Sequence, residues 1–164
     1  MLIFPYMKER TEKEILQIIL GEFYDKLETL KGMVPREARF PLAPNKVKVA
    51  MGMRRTGKTY FLYQQILDLL KNNDRSCILY INFEDDRLIP LNQQKLAHLV
   101  EAFYSLFPEN HERKCYLFLD EIQNVEGWPT VIRRLHDSKN VEIYLTGSSA
   151  KLLSKEIATG LRGR

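Results

Sequence analysis

A glycine-bounded loop has the residue types and spacing of a phosphate-binding site. Gly52 is followed, after four residues, by Gly57-Lys58-Thr59. Glycine permits a tight turn and a close approach of the backbone, so the N–H groups of such a loop can surround a polyphosphate. Lys58 would bring a positive charge to the β- and γ-phosphates, and Thr59 would offer its hydroxyl to Mg²⁺. The residues predicted to contact a nucleotide in this P-loop are Gly52, Met53, Arg54, Arg55, Thr56, Gly57, Lys58, Thr59 and Tyr60.

Two adjacent carboxylates, Asp120 and Glu121, follow the apolar segment 115–119. Taken alone, an apolar strand that ends in Asp-Glu is as often a plain turn as a site. This pair starts 62 residues after Lys58 with another apolar segment between them, which favours a Walker B strand beside the P-loop strand. We expect Thr59 and Asp120 on the Mg²⁺ side of the nucleotide. Glu121 is predicted to polarise the attacking water as a general base.

Strands and helices alternate around these motifs. Near-continuous apolar runs are typical of parallel strands buried on both faces, whereas apolar residues at a helical period indicate amphipathic helices. The expected strands are 47–51, 77–83, 115–120 and 141–146. One helix is expected from the P-loop to Asn72. Others are expected over residues 91–107, as a short helix that starts at Trp128, and over residues 151–161. This alternation predicts an α/β fold with a parallel sheet.

The N-terminal part is predicted to be a helix over residues 11–31. Thr11 and Glu14 have the spacing of a capping box, and Gly32 is a plausible helix stop. Because this helix precedes the P-loop strand, we interpret residues 1–33 as a helical appendage and residues 34–164 as the nucleotide-binding domain.

Length and composition set further bounds. The 164 residues, 45% of them apolar, suffice for one domain with a substantial core. The net charge of +4 supports nucleic-acid binding only weakly. Cys77 and Cys115 lie in apolar runs, and no run of 18 apolar residues or targeting segment occurs. We therefore expect a soluble cytoplasmic protein without a membrane partner. The three histidines have no ligand-like spacing and receive no chemical role.

Taken together, the motifs resemble those of the AAA+ and related signal-transduction ATPases. They are most similar to a prokaryotic group of predicted ATPases that carries a double arginine in the P-loop, at Arg54-Arg55 here, and Leu-Asp-Glu-Ile-Gln, at 119–123 here. Further similarities are Thr-Gly-Ser-Ser at 146–149, Leu-Leu-Ser at 152–154 and an arginine box at 161–164. The resemblance covers about residues 34–164.

The resemblance implies a three-layer P-loop NTPase fold, with helices on both faces of the sheet, and implies ATP and Mg²⁺ as ligands. It makes Thr146 or Ser148 the sensor of the γ-phosphate. The competing interpretation of Ser148 is a turn or helix cap. Arg162 or Arg164 would act as an arginine finger toward a neighbouring subunit.

Polar residues after the second strand allow two interpretations. Residues 84–87 lie at the carboxyl end of a parallel strand, where the ligands of open sheets collect, but a solvated acidic turn also fits. By the resemblance, Asn82 or Glu84 would hold Glu121 in an inactive pose, and the sequence does not decide between them.

The chain departs from the family pattern after the arginine box. Members of the group continue into a fifth strand, a lid and usually a further C-terminal domain, and we expect this chain to be a fragment without them. The predicted sheet therefore has four parallel strands in the order first, fourth, third, second, joined by right-handed crossovers. The P-loop strand would have an unpaired edge that favours self-association.

Two functions fit these expectations. The first is Mg²⁺-dependent ATP hydrolysis coupled to an unknown protein partner, and the second is a nucleotide-gated binding module with little or no hydrolysis. A GTPase switch is disfavoured because the chain lacks an Asn-Lys-x-Asp stretch that reads guanine. The preference for adenine rests on the resemblance.

Overall fold

A computed structural model of the chain describes residues 10–35, 37–53, 55–148, 155 and 159–161. Within these residues, strands and helices alternate as the apolar patterns predict. The strands are β1 (Lys48–Met51), β2 (Ile78–Asn82), β3 (Cys115–Asp120) and β4 (Val141–Gly147). The helices are α1 (Glu12–Thr29), α2 (Lys58–Leu69), α3 (Gln93–Leu106) and α4 (Trp128–Ser138). None of the helices in the described part is both long and apolar enough to cross a membrane.

The four strands form one parallel sheet in the order β1-β4-β3-β2. This order confirms the sequence prediction, and with the flanking helices it gives the expected P-loop NTPase-like α/β fold. Because β4 and β3 are central, their carboxyl ends lie between those of β1 and β2. The sheet therefore brings the ends of the P-loop strand and of the Asp-Glu strand to one edge, where parallel sheets bind ligands.

The middle residues of the central strands are apolar because helices cover the sheet. Every residue of β3 is buried, and the rings of Phe118 on β3 and Tyr144 on β4 stack with centroids 4.4 Å apart. Trp128, at the start of α4, is fully buried as well. The sheet is thus a packed and rigid support for the residues at its carboxyl edge.

The N-terminal helix α1 belongs to the same hydrophobic core as the sheet. Its capping box forms as expected. Thr11 Oγ1 accepts a hydrogen bond from Glu14 N, and the Glu14 carboxylate accepts one from the Thr11 N–H. The buried face of α1 packs against α3 and β2. The division of the chain at residue 33 remains a prediction.

Several element boundaries differ from the sequence expectation, for local reasons. Cys77 belongs to a 3₁₀ turn, so β2 starts one residue later than expected. Helix α3 starts only at Gln93 because Asn92 caps it by accepting from Lys95 N. Helix α2 ends at Leu69, before the asparagines expected to stop it. Most of the helix predicted at 151–161 lies outside the described residues.

Candidate active site

The P-loop connects the end of β1 to the start of α2. Arg55 and Gly57 both have left-handed backbone conformations, with φ of 63° and 79°. Such residues are typical of loops whose backbone N–H groups form an anion-binding concavity. A Cβ on Gly52 would lie 3.0 Å from Thr56 Oγ1, so the loop is closely packed here and a larger residue would push the Thr56 side chain aside.

Lys58 is held at the centre of the loop. Its ammonium group donates to the backbone oxygens of Gly52, at 3.1 Å, and Met53, at 2.9 Å. Only 8% of the residue is exposed, and Nζ lies 3.6 Å from Glu121 Oε1. The positive charge therefore faces both the loop and the carboxylate after β3.

Asp120 is completely buried and is held by three hydroxyl groups. Thr59 donates to Oδ2 at 2.7 Å, Tyr80 donates to the same oxygen at 3.0 Å, and Thr146 donates to Oδ1. These bonds satisfy a carboxylate that would otherwise be costly to bury. Burial raises the pKa of Tyr80, and the charge of Asp120 raises it further, so the phenol remains a hydrogen-bond donor.

Glu121 occupies a strained backbone position directly after β3. Its φ of 56° is left-handed, which costs about 1–2 kcal/mol for a residue with a side chain. Backbone bonds offset this cost, because the Glu121 N–H donates to Thr146 Oγ1 at 2.9 Å and its carbonyl accepts from Asn124 N at 3.1 Å. Strain of this kind is concentrated at functional sites.

The carboxylate of Glu121 is engaged by the polar groups around it. Gln123 Nε2 donates to Glu121 Oε2 at 2.6 Å and also to Ser148 Oγ at 2.9 Å. Burial alone would raise the pKa of Glu121, but the hydrogen bonds from Gln123 and Ser148 and the charge of Lys58 outweigh burial and lower it below 4.5. Glu121 is consequently a carboxylate at neutral pH.

A cleft of about 770 Å³ lies between the P-loop and Glu121. A volume of this size lies within the range of small-molecule sites. The cleft is lined by Arg55, Gly57, Lys58, Thr59, Tyr60, Glu84 and Glu121. Most of the lining thus consists of residues that the sequence analysis assigned to the nucleotide or its hydrolysis.

Some other expected residues lie outside the described part. Of the two residues expected to hold Glu121, Asn82 accepts through Oδ1 from Glu84 N at 2.9 Å and so shapes the turn after β2, and Glu84 lines the cleft together with Glu121. A role of either one in holding Glu121 remains a prediction, and Gln123 donates to the Glu121 carboxylate. Three residues with predicted roles lie outside the described part of the chain, namely Arg54, Arg162 and Arg164.

Sequence reasoning missed two members of this cluster, Tyr80 and Gln123. Tyr80 had a detectable signal, because its hydroxyl is a polar group in the middle of an otherwise apolar strand and needs a buried partner. Gln123 had a weaker signal, as an amide two residues after Glu121.

The donor set near the P-loop fits Mg²⁺. Among the described residues, no group of three or more His, Cys, Asp or Glu side chains could hold a metal by itself. Mg²⁺ is instead commonly bound by one or two protein oxygens together with substrate phosphates and water. The adjacent oxygens of Thr59 and Asp120 meet that requirement.

Comparisons with known proteins agree with the fold. The sequence profile of a family described as "AAA domain" matches residues 44–164. An uncharacterized protein of Methanocaldococcus jannaschii is 46% identical over 157 residues, which are 93% of this chain and 32% of the relative. An uncharacterized protein of Haemophilus influenzae is 40% identical over 123 residues, which are 72% of this chain and 29% of the relative. The chain therefore spans about a third of the length of these relatives. No solved structure matches the chain.

Proposed function

This chain belongs to the AAA domain family, whose members carry an ATPase-like nucleotide-binding module, and on that premise we propose that it binds ATP with Mg²⁺ and hydrolyses it to ADP and phosphate. One observation carries the proposal. The Lys58 ammonium and the Glu121 carboxylate lie 3.6 Å apart in one cleft, next to the hydrogen-bonded pair of Thr59 and Asp120.

In this proposal the P-loop binds the phosphates. Its backbone N–H groups and the N-terminal end of α2 attract the anion. Lys58 exchanges the carbonyl oxygens of Gly52 and Met53 for phosphate oxygens, which are stronger acceptors for an ammonium group. Mg²⁺, when bound, would neutralise negative charge that develops on the phosphates during the reaction. Thr59 and Asp120 are the residues that would hold it.

Glu121 acts on water in the proposed reaction. The water oxygen forms a bond to the γ-phosphorus, the bond from that phosphorus to the β-phosphate oxygen breaks, and Glu121 takes the proton that water loses. The lowered pKa of Glu121 keeps it deprotonated and ready to accept this proton. Gln123 donates to Oε2, so Oε1 is the oxygen that would take the proton once Lys58, now 3.6 Å from it, turns to the phosphates.

A nucleotide-gated binding module with little hydrolysis is the second candidate, and one observation favours it. Both carboxylate oxygens of Glu121 are engaged, one by the Gln123 amide and the other by the Lys58 charge. The side chain must therefore give up part of these interactions before it can take a proton. If it does not, ATP would only order the cleft and its surroundings.

Partner and location are also proposals. We propose that nucleotide binding acts on a protein partner or on self-association rather than on nucleic acid, for which the net charge of +4 is weak support. The edge of β1 is one candidate surface, because β1 is an outer strand of the described sheet and its last residue, Met51, is exposed. A cytoplasmic location fits the buried free thiols of Cys77 and Cys115, which suit a reducing compartment.

Thermal unfolding with and without Mg-ATP tests the proposed function. ATP at 100 times its Kd should add about 2.7 kcal/mol, which for a domain of this size raises Tm by about 5–10 °C. Lys58→Ala should lose the shift. Lys71→Ala should keep it, because this lysine lies just beyond α2 and its side chain is 71% exposed.

The pattern of responses separates the outcomes. No shift in the parent chain would contradict nucleotide binding by this chain. An equal shift in the parent chain and in Lys58→Ala would mean that ATP binds elsewhere. Equal shifts with ATP and GTP would contradict the preference for adenine.

A further inference from the structure

Two buried phenol groups, one on α2 and one on β2, form a line of hydrogen bonds that ends at Asp120. The Tyr63 hydroxyl on α2 donates to the Tyr80 hydroxyl on β2 at 3.3 Å, and Tyr80 donates to Asp120 Oδ2 at 3.0 Å. Tyr63 and Tyr80 are 8% and 6% exposed. The two hydrogen-bonded hydroxyl groups thus lead from the Mg²⁺ side of the candidate site into the core between α1 and α2.

Aromatic packing fixes the position of Tyr80. The ring of Phe23, on α1, stacks on Tyr80 with centroids 4.8 Å apart and an interplanar angle of 23°. The ring of Tyr63 packs at 5.2 Å on the same side chain. Phe23 is only 4% exposed. The helix that precedes the P-loop strand is therefore in direct contact with the residue that contacts Asp120.

The hydroxyl of Tyr80 is not needed to fill this space. A phenylalanine ring would pack against Phe23 equally well, whereas burying a hydroxyl costs free energy unless it is hydrogen-bonded. The acceptor for the Tyr80 hydroxyl is the oxygen of Asp120 that also accepts from Thr59 at 2.7 Å. Asp120 Oδ2 is thus held from two sides, by the P-loop helix and by β2.

We propose that Tyr80 is a positioning residue for the Mg²⁺ side of the nucleotide site, and that α1 holds Tyr80 in place through Phe23. In this role Tyr80 fixes the rotation of the Asp120 carboxylate so that Oδ2 stays directed at Thr59. The inference rests on the proposed function. It makes the N-terminal helix part of the support of the site, because outer groups that orient metal-binding carboxylates commonly set metal affinity.

Tyr80→Phe tests this inference, with Tyr63→Phe as the matched control. Both variants remove one buried phenol oxygen, but only the first removes a bond to Asp120. ATP binding is measured by calorimetry over a Mg²⁺ titration and again in EDTA. We expect Tyr80→Phe to need about 10–100-fold more Mg²⁺ for half-maximal tightening of ATP binding, with its affinity in EDTA unchanged. Tyr63→Phe should keep the Mg²⁺ requirement of the parent chain.

The contribution of α1 is tested by Phe23→Leu. This change keeps an apolar side chain but removes the stacked ring, and it should raise the Mg²⁺ requirement by less than Tyr80→Phe does. A Mg²⁺ requirement as in the parent chain would overturn the role given to α1.

Three outcomes would overturn the role of Tyr80. A Tyr80→Phe chain with the Mg²⁺ requirement of the parent would show that the hydroxyl does not position Asp120, while ATP binding and the proposed function would stand. A Tyr80→Phe chain that does not fold, or an equal effect of Tyr63→Phe, would assign the hydroxyl to stability alone. A parent chain that binds no ATP at any Mg²⁺ concentration would refute the proposed function first and this inference with it.

Discussion

Thr146, near the end of β4, donates a hydrogen bond to Asp120, at the end of the neighbouring strand β3. The same hydroxyl accepts from the backbone N–H of Glu121 at 2.9 Å. One fully buried side chain therefore fixes both the Asp120 carboxylate and the strained backbone at Glu121. The structure thus gives Thr146 a part in holding the end of β3 and the residue after it.

Removal of the Thr146 hydroxyl should destabilise the chain. Thr146→Val keeps the shape of the side chain but leaves the Glu121 N–H and one Asp120 oxygen without this partner, at a cost of about 1–3 kcal/mol. Thr146→Ser keeps the hydroxyl and loses one methyl group, at a cost of about 1 kcal/mol. Urea unfolding at neutral pH measures both. Equal losses in the two variants would mean that the methyl group, and not the hydroxyl, is important.

Replacing Glu121 should separate ATP binding from hydrolysis. Glu121→Gln keeps the size of the side chain but cannot take a proton, so phosphate release should fall by roughly 10²–10⁴-fold. The Mg-ATP shift in Tm should persist, because Lys58 and the loop remain. Glu28→Gln, which changes an exposed carboxylate outside the cleft, serves as the control. A Glu121→Gln chain that releases phosphate at the rate of the parent would favour the nucleotide-gated module or another base.

The ion cluster at the amino end of the sheet should make stability depend on pH. Lys48, only 6% exposed in its side chain, and Lys114 both bond to Glu142. Burial would raise the pKa of Glu142, but the hydrogen bonds from Lys48 and Lys114 outweigh burial and lower it below 4.5. The ionised Glu142 therefore contributes its full stabilisation of the folded chain above about pH 4.5. This contribution is lost as the pH falls through the lower pKa that Glu142 has in the folded state.

Glu142→Gln should remove that dependence. At neutral pH the variant should be less stable by about 1.5–3 kcal/mol, because it loses hydrogen bonds to charged groups and leaves Lys48 without its carboxylate. Below about pH 4.5 the difference from the parent chain should shrink. Urea unfolding of the parent chain and the variant over this pH range gives the difference between their free energies of unfolding. The contributions of the other carboxylates are the same in both chains and cancel in this difference. A constant difference at all pH values would contradict the lowered pKa.

Two glycines should respond in opposite ways to alanine. Gly127, before α4, has a φ of +73°, and an added Cβ would lie 3.1 Å from Gln93 Oε1. Gly127→Ala should therefore cost about 1–2 kcal/mol. Gly21 lies within α1, and beyond the nearby backbone of that helix no atom lies within 4 Å of an added Cβ, so Gly21→Ala should stabilise the chain by about 0.5–1 kcal/mol. Thermal unfolding measures both, and a loss of stability in Gly21→Ala would indicate a contact to that face of α1.

The order of the strands was predictable, whereas the supports of the site were not. The spacing from Gly52 to Thr59 and the apolar strand before Asp120 depend on local patterns, which are visible in a sequence. Together with the family resemblance they were sufficient for the parallel sheet and the order β1-β4-β3-β2. Some local boundaries shifted, as at Asn92, where a side-chain cap rather than apolar periodicity decides the first residue of a helix.

The sequence by itself determined the loop that can hold phosphate, the carboxylates that follow a buried strand, and the α/β alternation that brings them to one edge. Only the tertiary structure decided what holds those carboxylates. Tyr80 reaches Asp120 across 40 positions of the chain, and Gln123 reaches Glu121 because a left-handed turn follows β3. The physical reason is that such bonds depend on strand register, side-chain rotation and helix packing, which local residue patterns do not encode.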